Sequence, residues 1–348
     1  MKDNYKKIAL WQTAFLGDAV LTLPFIKALS QRFPDAEIHF FVRKGVEPLF
    51  RFQPELSGVY GFDKRGAGRS MKSAYRFGAE IGRQGFDLWI SAHTSIRSAL
   101  VAVAGGITDR IGYSAPWYNR FAYTQTVDRS FEELEEVDRL MALGEPLGIS
   151  GSAPETDLGL DEAALEEAGN FFRSFSGRPV LGVHPGSTWE TKKWPGQNFA
   201  LTIARAVENG YAVVLFGGPD EVALADEIAR QSGCGDRIVN LAGRLNLQQL
   251  AAHIRMLDLY LTNDSGPMHI AWVQGVPVLA LFGPTVKRFG FFPRGENSTV
   301  LEAPGHLECR PCGLHGGRTC PEKHHRCMTD ISVETVWSEI LRKTGAVG

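Results

Sequence analysis

The stretch LYLTNDSGPMHIAWVQGVPVLALFGPT, residues 259–285, contains the features that decide the fold. It begins and ends with short apolar runs, LYLTND and PVLALFG, which have little polar alternation. Such runs are typical of parallel strands that are covered on both faces. Between them, Pro267 opens a helical segment where its missing N–H costs nothing, and Gly275 closes that segment. The stretch therefore predicts a strand, a helix and a second parallel strand.

The same alternation recurs along the chain. Further apolar runs are IALWQT, IHFFV, LWISA, PVLGVH and AVVLFGG, and helical stretches such as AVLTLPFIKALSQRF and EVALADEIARQS lie between them. Alternating strands and helices predict the α/β class with doubly wound parallel sheets. The pattern occurs twice, and 348 residues are enough for two domains of ordinary size.

The segment 150–179, SGSAPETDLGLDEAALEEAGNFFRSFSGRP, marks the boundary between the two domains. It begins rich in Gly, Ser and Pro, passes through an acidic helical stretch and ends just before a new strand. Near the end of the chain, Ser332 is expected to cap a terminal helix. We predict a first Rossmann-like domain over 1–160, a linker helix region over 161–178, a second Rossmann-like domain over 179–330 and a C-terminal helix over 331–348.

Composition and charge exclude several classes of protein. Hydrophobic residues make up 44% of the chain and charged residues 22%, which is typical of a globular protein. The formal net charge of -2 does not suit a polyelectrolyte binder, so we expect no nucleic-acid partner. Gln12 and Asp18 interrupt the N-terminal apolar run, and no stretch is long and apolar enough to span a bilayer. These features favour a cytoplasmic protein.

Glycine-rich turns follow the strands of the second half. In a parallel sheet these turns fall on one edge, and ligands bind in the crevice outside the carboxyl ends of such strands. Several turns on one edge favour a nucleotide site. The turns are Pro185-Gly186-Ser187-Thr188, Gly217-Gly218-Pro219-Asp220-Glu221, Ala242-Gly243, Asn263-Asp264-Ser265-Gly266 and Gly283-Pro284-Thr285.

The helix that starts after Ser265 has the features of a phosphate site. Its first N–H groups and its dipole favour an anion, and Gly266 allows close approach. His269 lies one turn into the helix, where it would donate to a phosphate oxygen or a ribose. The alternative is an ordinary cap, in which Asp264 and Ser265 satisfy backbone donors and His269 packs against the sheet.

The segment HPGSTWETKKWPGQNFA, residues 184–200, places two lysines shortly after a strand-end turn. Trp194 and Pro195 are expected to anchor this loop before a helix that starts near Gln197. One lysine aimed into the crevice would neutralise a diphosphate leaving group. The alternative is that both lysines are solvated loop residues.

The first half has a different set of candidates. No GxGxxG follows IALWQT, which argues against a dinucleotide dehydrogenase. Asp18, at the start of the first helix, would act as a general base on an acceptor hydroxyl, or would only cap the helix. The basic stretch FDKRGAGRSMKSAYRFGAEIGRQGF, residues 62–86, suits an anionic acceptor or an anionic membrane surface, or is a solvated helix face.

Four of the five cysteines fall in CRPCGLHGGRTCPEKHHRCM, residues 309–328. Their thiolates would bind a zinc ion or an iron–sulfur cluster, with nearby histidines as substitutes, or form disulfides in air. Four ligands leave no open position for chemistry, so such a metal would be structural. The candidate ligands are Cys309, Cys312, Cys320 and Cys327.

Together these motifs resemble the bacterial heptosyltransferases of glycosyltransferase family 9. The resemblance covers nearly the whole chain and rests on GDAVLTLPFIKAL, FDLWISAHTSIRSAL, RIGY, PGSTWETKKWP and, most specifically, NDSGPMHIAWVQGVPVLALFGPT. The cysteine-rich ending is most similar to members that add the second core heptose. The resemblance implies a GT-B fold, with two Rossmann-like domains facing a cleft, the first for the acceptor and the second for an ADP-sugar donor.

The resemblance also implies roles for individual positions. Asp18 is the expected base, and Lys192 meets the donor phosphates, so these two are the expected catalytic residues. Glu221 is expected to hold the ribose and Leu245 to lie by the adenine. The other expected donor-binding residues are Ser187, Thr188, Asp264, Ser265, Gly266 and His269, and the expected acceptor-binding residues are Lys64, Arg65, Arg69 and Arg97.

The implied activity is an inverting transfer of L-glycero-D-manno-heptose from ADP-heptose to the inner core of lipopolysaccharide in a Gram-negative cell, as the second heptose. No cofactor is expected for catalysis. The implied acceptor is a lipid A–Kdo/heptose core, met at the cytoplasmic face of the inner membrane by a peripherally associated enzyme. Two alternatives remain, since a fold does not fix a function. One is a related glycosyltransferase with another donor or a first-heptose acceptor, and the other is a non-catalytic nucleotide-sugar or metal-binding protein.

Overall fold

The computed structural model describes residues 1–64, 66 and 68–345. The chain divides into two compact units, a first unit over Met1–Gly159 and a second unit that begins at Leu160. Across the described part of the chain, no helix combines the length and the apolar character needed to cross a membrane.

The first unit contains a parallel sheet whose described strands run in the order β3-β2-β1-β4-β5-β6. Ile8 of β1 lies opposite Ile38 of β2 on one side and Leu88 of β4 on the other, so the strand order reverses beside β1. Ligands bind at such a switch point in open α/β sheets. The strands are β1 (Lys7–Gln12), β2 (Glu37–Arg43), β3 (Gly58–Phe62), β4 (Leu88–Ser91), β5 (Asp109–Tyr113) and β6 (Gln125–Val127).

Helices cover both faces of this sheet. On one face, α3, α4 and α5 pack over a core that includes Trp11, Phe41 and Trp89. The single helix predicted near residues 19–33 is divided at Thr22, because Pro24 cannot donate a backbone hydrogen bond to the preceding turn. The helices are α1 (Leu16–Leu21), α2 (Leu23–Arg32), α3 (Met71–Gly82), α4 (Ile96–Gly105), α5 (Asn119–Ala122) and α6 (Glu136–Ala142).

The second unit repeats the architecture. Its described strands run in the order β12-β11-β10-β7-β8-β9, again all parallel, with the switch point between β7 and β10. Both sheets therefore have the strand order of a dinucleotide-binding fold. The strands are β7 (Val180–His184), β8 (Ala212–Leu215), β9 (Ile238–Asn240), β10 (Leu259–Asn263), β11 (Val278–Phe282) and β12 (Ser298–Glu302).

The helices of the second unit include the segment predicted as a linker. Helix α7 packs Ala164 and Ala168 against Ala252 of α10 and so lies within this unit. The predicted cap of the terminal helix is confirmed, since Ser332 Oγ accepts from the Thr335 N–H at 3.1 Å. The helices are α7 (Glu162–Phe172), α8 (Gly196–Glu208), α9 (Val222–Ser232), α10 (Leu247–Arg255), α11 (Gly266–Val273), α12 (Arg326–Thr329) and α13 (Val333–Thr344).

The predicted α/β class is confirmed, and each of the seven apolar runs forms a strand near the centre of its sheet. The more peripheral strands β3, β5, β6 and β12 lack such a run. Their side chains are less uniformly buried, so the sequence has no continuous apolar signal there.

Candidate active site

At the switch point of the second sheet, a lysine and an aspartate form a largely buried ion pair. Lys192 ends a short 3₁₀ turn, and its Nζ donates to Oδ2 of Asp264 at 2.6 Å. The hydroxyl of Thr285 donates to the same oxygen at 2.6 Å, so two donors fix the carboxylate. Lys193, in contrast, pairs with Glu190 toward solvent. Of the two lysines, only Lys192 is held at the strand ends, and it is not a solvated loop residue.

Helix α11 starts beside this pair without a side-chain cap. Ser265 is its N-cap residue but makes no side-chain hydrogen bond to the first turn, and the carboxylate of Asp264 is engaged by Lys192 and Thr285. The side chains of Asp264 and Ser265 therefore do not form an ordinary cap for α11. The helix end leaves backbone N–H groups and a positive dipole end beside an ammonium group, which suits an anionic ligand. Gly275, with φ of +72°, follows the C-cap residue as predicted.

His269 lies in the first turns of α11 and is 4% exposed. Burial lowers the pKa of His269 to about 4, with the charge of Lys192 acting in the same direction and that of Asp264 opposing it. The ring is therefore neutral at pH 7. Its Nδ1 has no hydrogen-bond partner among the described residues. Buried polar atoms without a partner are rare, and one at a helix N-terminus is suited to a bound ligand.

His184, at the end of β7, is a site residue that the sequence reasoning missed. Its Nε2 donates to Oε2 of Glu221 at 3.0 Å, and its Nδ1 lies 3.2 Å from the hydroxyl of Ser265. The imidazole thus links the expected ribose carboxylate to the start of α11. The sequence signal was present in HPGS, where a histidine ends an apolar run, but Glu221 and Ser265 lie 37 and 81 positions away.

Glu221 lies directly against the turn that follows β7. A Cβ at Gly186 would come within 1.9 Å of Glu221 Oε1, so a larger residue there would displace the carboxylate. Burial alone would raise the pKa of Glu221. The hydrogen bond and the charge of His184, together with the hydrogen bond from the Gly218 N–H, outweigh burial and lower the pKa. Glu221 is therefore an ionised hydrogen-bond acceptor at neutral pH, which suits ribose hydroxyls.

The remaining expected donor residues differ in how closely they approach this cluster. Ser187 is buried, and its hydroxyl donates to the Asp264 carbonyl oxygen at 3.4 Å. Thr188 is exposed on the same turn, and Leu245 is half-buried just before α10. The donor contacts of Thr188 and Leu245 stay predictions.

The cysteine-rich loop packs against the segment that carries Lys192. The backbone and hydroxyl groups of Thr191 exchange hydrogen bonds with Gly317 at 2.8 to 3.1 Å. His325 Nε2 lies 2.7 Å from the Thr191 carbonyl oxygen, and the ring of His315 stacks on that of Trp189. None of the expected donor residues lies in this loop. It nevertheless supports the residue next to Lys192.

The four cysteines of this loop are free thiols in the structure. Burial and the neighbouring thiols raise the pKa of Cys312, and they raise that of Cys327 to about 11. Cys327 packs into the core of the second unit. Over residues 1–64, 66 and 68–345, no three His, Cys, Asp or Glu side chains are arranged to hold a metal ion. The thiols therefore do not form a ready ligand set.

In the first unit, Asp18 lies in the first turn of α1, close after the end of β1. Its Oδ2 accepts from the Phe15 N–H at 3.1 Å, so the carboxylate caps the helix from its third position rather than from the N-cap. Burial and the negative charge of Glu136 raise the pKa of Asp18 to about 6, although the Phe15 N–H and the charge of Arg129 oppose this. A carboxylate with this pKa is ionised at pH 7 and is a stronger base than an ordinary aspartate.

The ammonium group of Lys64 interacts electrostatically with Asp18 and forms a hydrogen bond with a histidine. Its Nζ donates to Nε2 of His93 at 3.2 Å, and Nδ1 of His93 lies 2.7 Å from the hydroxyl of Ser98. Burial and the charges of Arg97 and Arg43 lower the pKa of Lys64 to about 8, while Asp18 opposes this. Burial and nearby cations lower the pKa of His93 to about 3, so its ring stays neutral and accepts from the ammonium group.

The structure brings two of the four expected acceptor residues together. Nη1 of Arg97 donates to the Lys64 carbonyl oxygen at 3.0 Å. Arg69 is exposed beside the start of α3. Arg65 lies outside the described residues. The acceptor roles of all four stay predictions.

Arg129 and Glu136 are further residues that the sequence reasoning missed. Arg129 Nη2 donates to Glu136 Oε2 at 2.9 Å, and Glu136 is completely buried. Arg129 also lines a cavity of about 450 Å³ together with Thr94, Pro116 and Phe131. Its charge partly offsets that of Glu136 at Asp18. The pair therefore sets the charge around the candidate base and faces a space large enough for a sugar.

The chain is similar to known proteins in both sequence and fold. The model of glycosyltransferase family 9 (heptosyltransferase) matches residues 74–324. Lipopolysaccharide heptosyltransferase 2 of Escherichia coli (strain K12) is 26% identical, with 96% of this chain and 97% of that protein covered. The solved structure of a family 9 glycosyl transferase from Veillonella parvula DSM 2008 has a TM-score of 0.88 at 25% identity, covering 99% of each chain. That of E. coli ADP-heptose lps heptosyltransferase II has a TM-score of 0.77 at 24% identity, covering 98% of this chain and 99% of that one. The chain therefore belongs to glycosyltransferase family 9, the heptosyltransferase family, and is a glycosyltransferase with the GT-B fold.

Proposed function

We propose that this enzyme transfers L-glycero-D-manno-heptose from ADP-heptose, with inversion, to a heptose of the lipopolysaccharide inner core. The observation that carries the proposal is the start of α11. There an uncapped helix end lies beside the ammonium of Lys192, and His269 of the same helix has an unpartnered Nδ1 and lies within the electrostatic influence of Lys192. This combination suits the diphosphate of a nucleotide-sugar donor. The similarity to lipopolysaccharide heptosyltransferase 2 of E. coli supports the sugar and the acceptor.

The second unit would bind and activate the donor. The charge that develops on the departing ADP is stabilised by Lys192 and by the N-terminus of α11, with a hydrogen bond from His269. Glu221, oriented by His184, accepts from the ribose hydroxyls. Lys192 needs little reorganisation when the bond breaks, because Asp264, whose carboxylate is itself held by Thr285, already fixes its ammonium group.

The first unit would supply the base. As the acceptor oxygen forms a bond to the anomeric carbon of heptose, the bond from that carbon to the phosphate oxygen breaks, and ADP leaves with the electron pair. The acceptor proton passes to the carboxylate of Asp18. With a pKa near 6, Asp18 is ionised before the reaction and still basic enough to accept the proton. No cofactor enters these steps.

The acceptor would be held by cations of the first unit. Lys64 and Arg97 lie side by side near Asp18, and Arg129 lines the adjacent cavity. Phosphate and carboxylate groups of a lipid A–Kdo/heptose core are ligands for such cations. Because that acceptor is anchored in a bilayer, we place the reaction at the cytoplasmic face of the inner membrane.

A structural zinc ion or iron–sulfur cluster at Cys309, Cys312, Cys320 and Cys327 remains a separate proposal. The raised pKa values of Cys312 and Cys327 mean that metal binding would have to displace protons from these thiols. Elemental analysis of protein purified without a metal-affinity tag tests it. A metal content well below one ion per chain, with all thiols titratable, rejects it.

Mass spectrometry of the products tests the activity. The enzyme is offered ADP-heptose, or an ADP-hexose as the control donor, with lipopolysaccharide cores truncated before and after the first heptose. We expect one heptose to be added to the core that already carries a heptose. Addition to the heptose-free core would indicate a first-heptose enzyme. Turnover of the hexose donor would indicate another sugar, and ADP-heptose binding without product would indicate a non-catalytic protein.

A further inference from the structure

The helical layer of the first unit exposes an unusual share of large hydrophobic side chains. Among the described residues, twelve such side chains are exposed, and half of them lie on or beside α3, α4 and α5. Trp117 and Phe121 are the most exposed, at 73% and 78%. Soluble proteins rarely expose neighbouring apolar groups of this size without a partner. The six, named here the apolar face, are Met71, Tyr75, Ile96, Val103, Trp117 and Phe121.

The apolar face is carried by rigidly packed helices. Helix α4 packs between α3 and α5, and all three cover the same core. Ile96 and Val103 stand two turns apart on α4, where a surface helix ordinarily has polar side chains. The segment before α5 is anchored because the Tyr118 hydroxyl donates to the Thr94 carbonyl oxygen at 3.0 Å. The rings of Trp117 and Phe121 meet edge to face, 6.2 Å apart.

Exposed basic side chains lie on the same helices as part of the apolar face. Lys72, Arg76 and Arg83 are exposed on or next to α3, with Glu80 as the acidic side chain exposed on that helix. Arg120 is exposed next to Phe121. The acidic side chains of Asp128, Glu132 and Glu133 line the cavity already described, together with Pro116. Aromatic rings flanked by Lys and Arg are the composition of a surface that binds an anionic bilayer.

We propose that the apolar face docks the enzyme on an anionic phospholipid bilayer. Trp117 and Phe121 enter the headgroup region, and the cations of α3 contact lipid phosphates. A second copy of this chain fits less well, because the basic side chains of α3 would face each other. The inference rests on the proposed function in one respect, since it brings the enzyme to the membrane that holds a lipid acceptor.

Vesicle sedimentation of the full chain tests the docking. One set of vesicles contains equal parts of phosphatidylglycerol and phosphatidylcholine, and the other only phosphatidylcholine. We expect binding to the first set alone, weakening as salt rises. The W117Q/F121Q variant loses the apolar area that enters the bilayer, and the K72E/R76E variant loses two contacts with lipid phosphates. Each variant should therefore have a vesicle partition coefficient lower by about tenfold or more. The matched controls are L201Q on α8 and R230E on α9, at exposed positions outside the apolar face. Both variants should bind the vesicles as the unchanged protein does.

A second measurement separates docking from catalysis. Heptose transfer to a delipidated, soluble core should be the same for W117Q/F121Q and the unchanged protein, whereas transfer to a vesicle-embedded acceptor should fall. If the unchanged protein makes no product with either acceptor, the proposed function fails while vesicle binding still decides the docking. Equal vesicle binding by W117Q/F121Q overturns the proposal. Vesicle binding that requires a heptose-bearing lipid would also overturn it. The same holds if the protein forms a dimer without lipid and the W117Q/F121Q substitutions dissociate that dimer.

Discussion

The ammonium of Lys192 donates a hydrogen bond to the carboxylate of Asp264 at 2.6 Å, although the two residues are 72 positions apart in the sequence. The pair joins the loop after β7 to the turn after β10, so it spans the switch point of the second sheet. A diphosphate bound at the start of α11 brings negative charge next to Asp264. Lys192 therefore has to balance both the aspartate and the donor.

Replacing Lys192 should weaken the binding of ADP. Lys192→Ala removes a charged hydrogen-bond donor and leaves Asp264 repelling the phosphates, so calorimetry should show ADP affinity reduced by roughly ten- to a hundredfold. Lys193→Ala is the matched control, because Lys193 pairs with Glu190 toward solvent. Equal ADP affinity in the two variants would place the diphosphate elsewhere.

Replacing Asp18 should slow turnover strongly without weakening the fold. Asp18→Asn retains an acceptor for the Phe15 N–H but removes the base, so the rate should fall by about two to four orders of magnitude with ADP binding unchanged. The control is Asp161→Asn, which makes the same replacement at the start of another helix, at the N-cap of α7. Near-normal turnover of Asp18→Asn would show that another group accepts the proton.

The raised pKa of Asp18 gives this prediction a pH dependence. In the unchanged enzyme, the rate should fall as the pH drops through about 6, because the base becomes protonated. The folded state favours the protonated carboxyl, so ionisation of Asp18 lowers stability as the pH rises from the ordinary aspartate pKa to about 6, and the loss stays constant at higher pH. Chemical denaturation should therefore show Asp18→Asn at least as stable as the unchanged protein at pH 7. A clear loss of stability would contradict the assigned environment.

Replacing His184 should act through Glu221. Without the hydrogen bond and charge of His184, burial raises the pKa of Glu221, so the carboxylate becomes protonated at a higher pH. His184→Ala should therefore bind ADP more weakly, and the deficit should grow as the pH is lowered from neutral to mildly acidic. His253→Gln, a buried histidine on α10, is the control. A pH-independent deficit would indicate that His184 only fills space.

The cations of the first unit should differ in their response to salt. Lys64→Gln and Arg69→Glu should both raise the KM for a soluble acceptor while leaving the KM for the donor nearly unchanged. Arg69 is exposed, so its effect should shrink as salt rises, whereas half-buried Lys64 is screened less. Arg230→Gln on α9 is the control. Identical salt responses at the two positions would argue against direct contact by Lys64.

Local sequence patterns predict that a loop is anchored, but they do not predict which distant segment contacts it. The pattern around Trp194 predicts an anchored loop before a helix, and Trp194 is indeed buried, with α8 starting at Gly196. The pattern gives no sign that Gly317 holds Thr191, next to Lys192. Such contacts join segments more than a hundred positions apart, and no periodicity records them.

The sequence by itself determined the α/β class, the central strands and most of the candidate donor residues. It did so because buried parallel strands need continuous apolar runs, and because strand-end turns and helix starts need particular residue types. The tertiary structure decided the partners and therefore the chemistry. It paired Lys192 with Asp264, connected His184 to Glu221 and surrounded Asp18 with Glu136 and Arg129. Charge, burial and hydrogen bonding depend on distances in space, and these exist only once the sheets have formed.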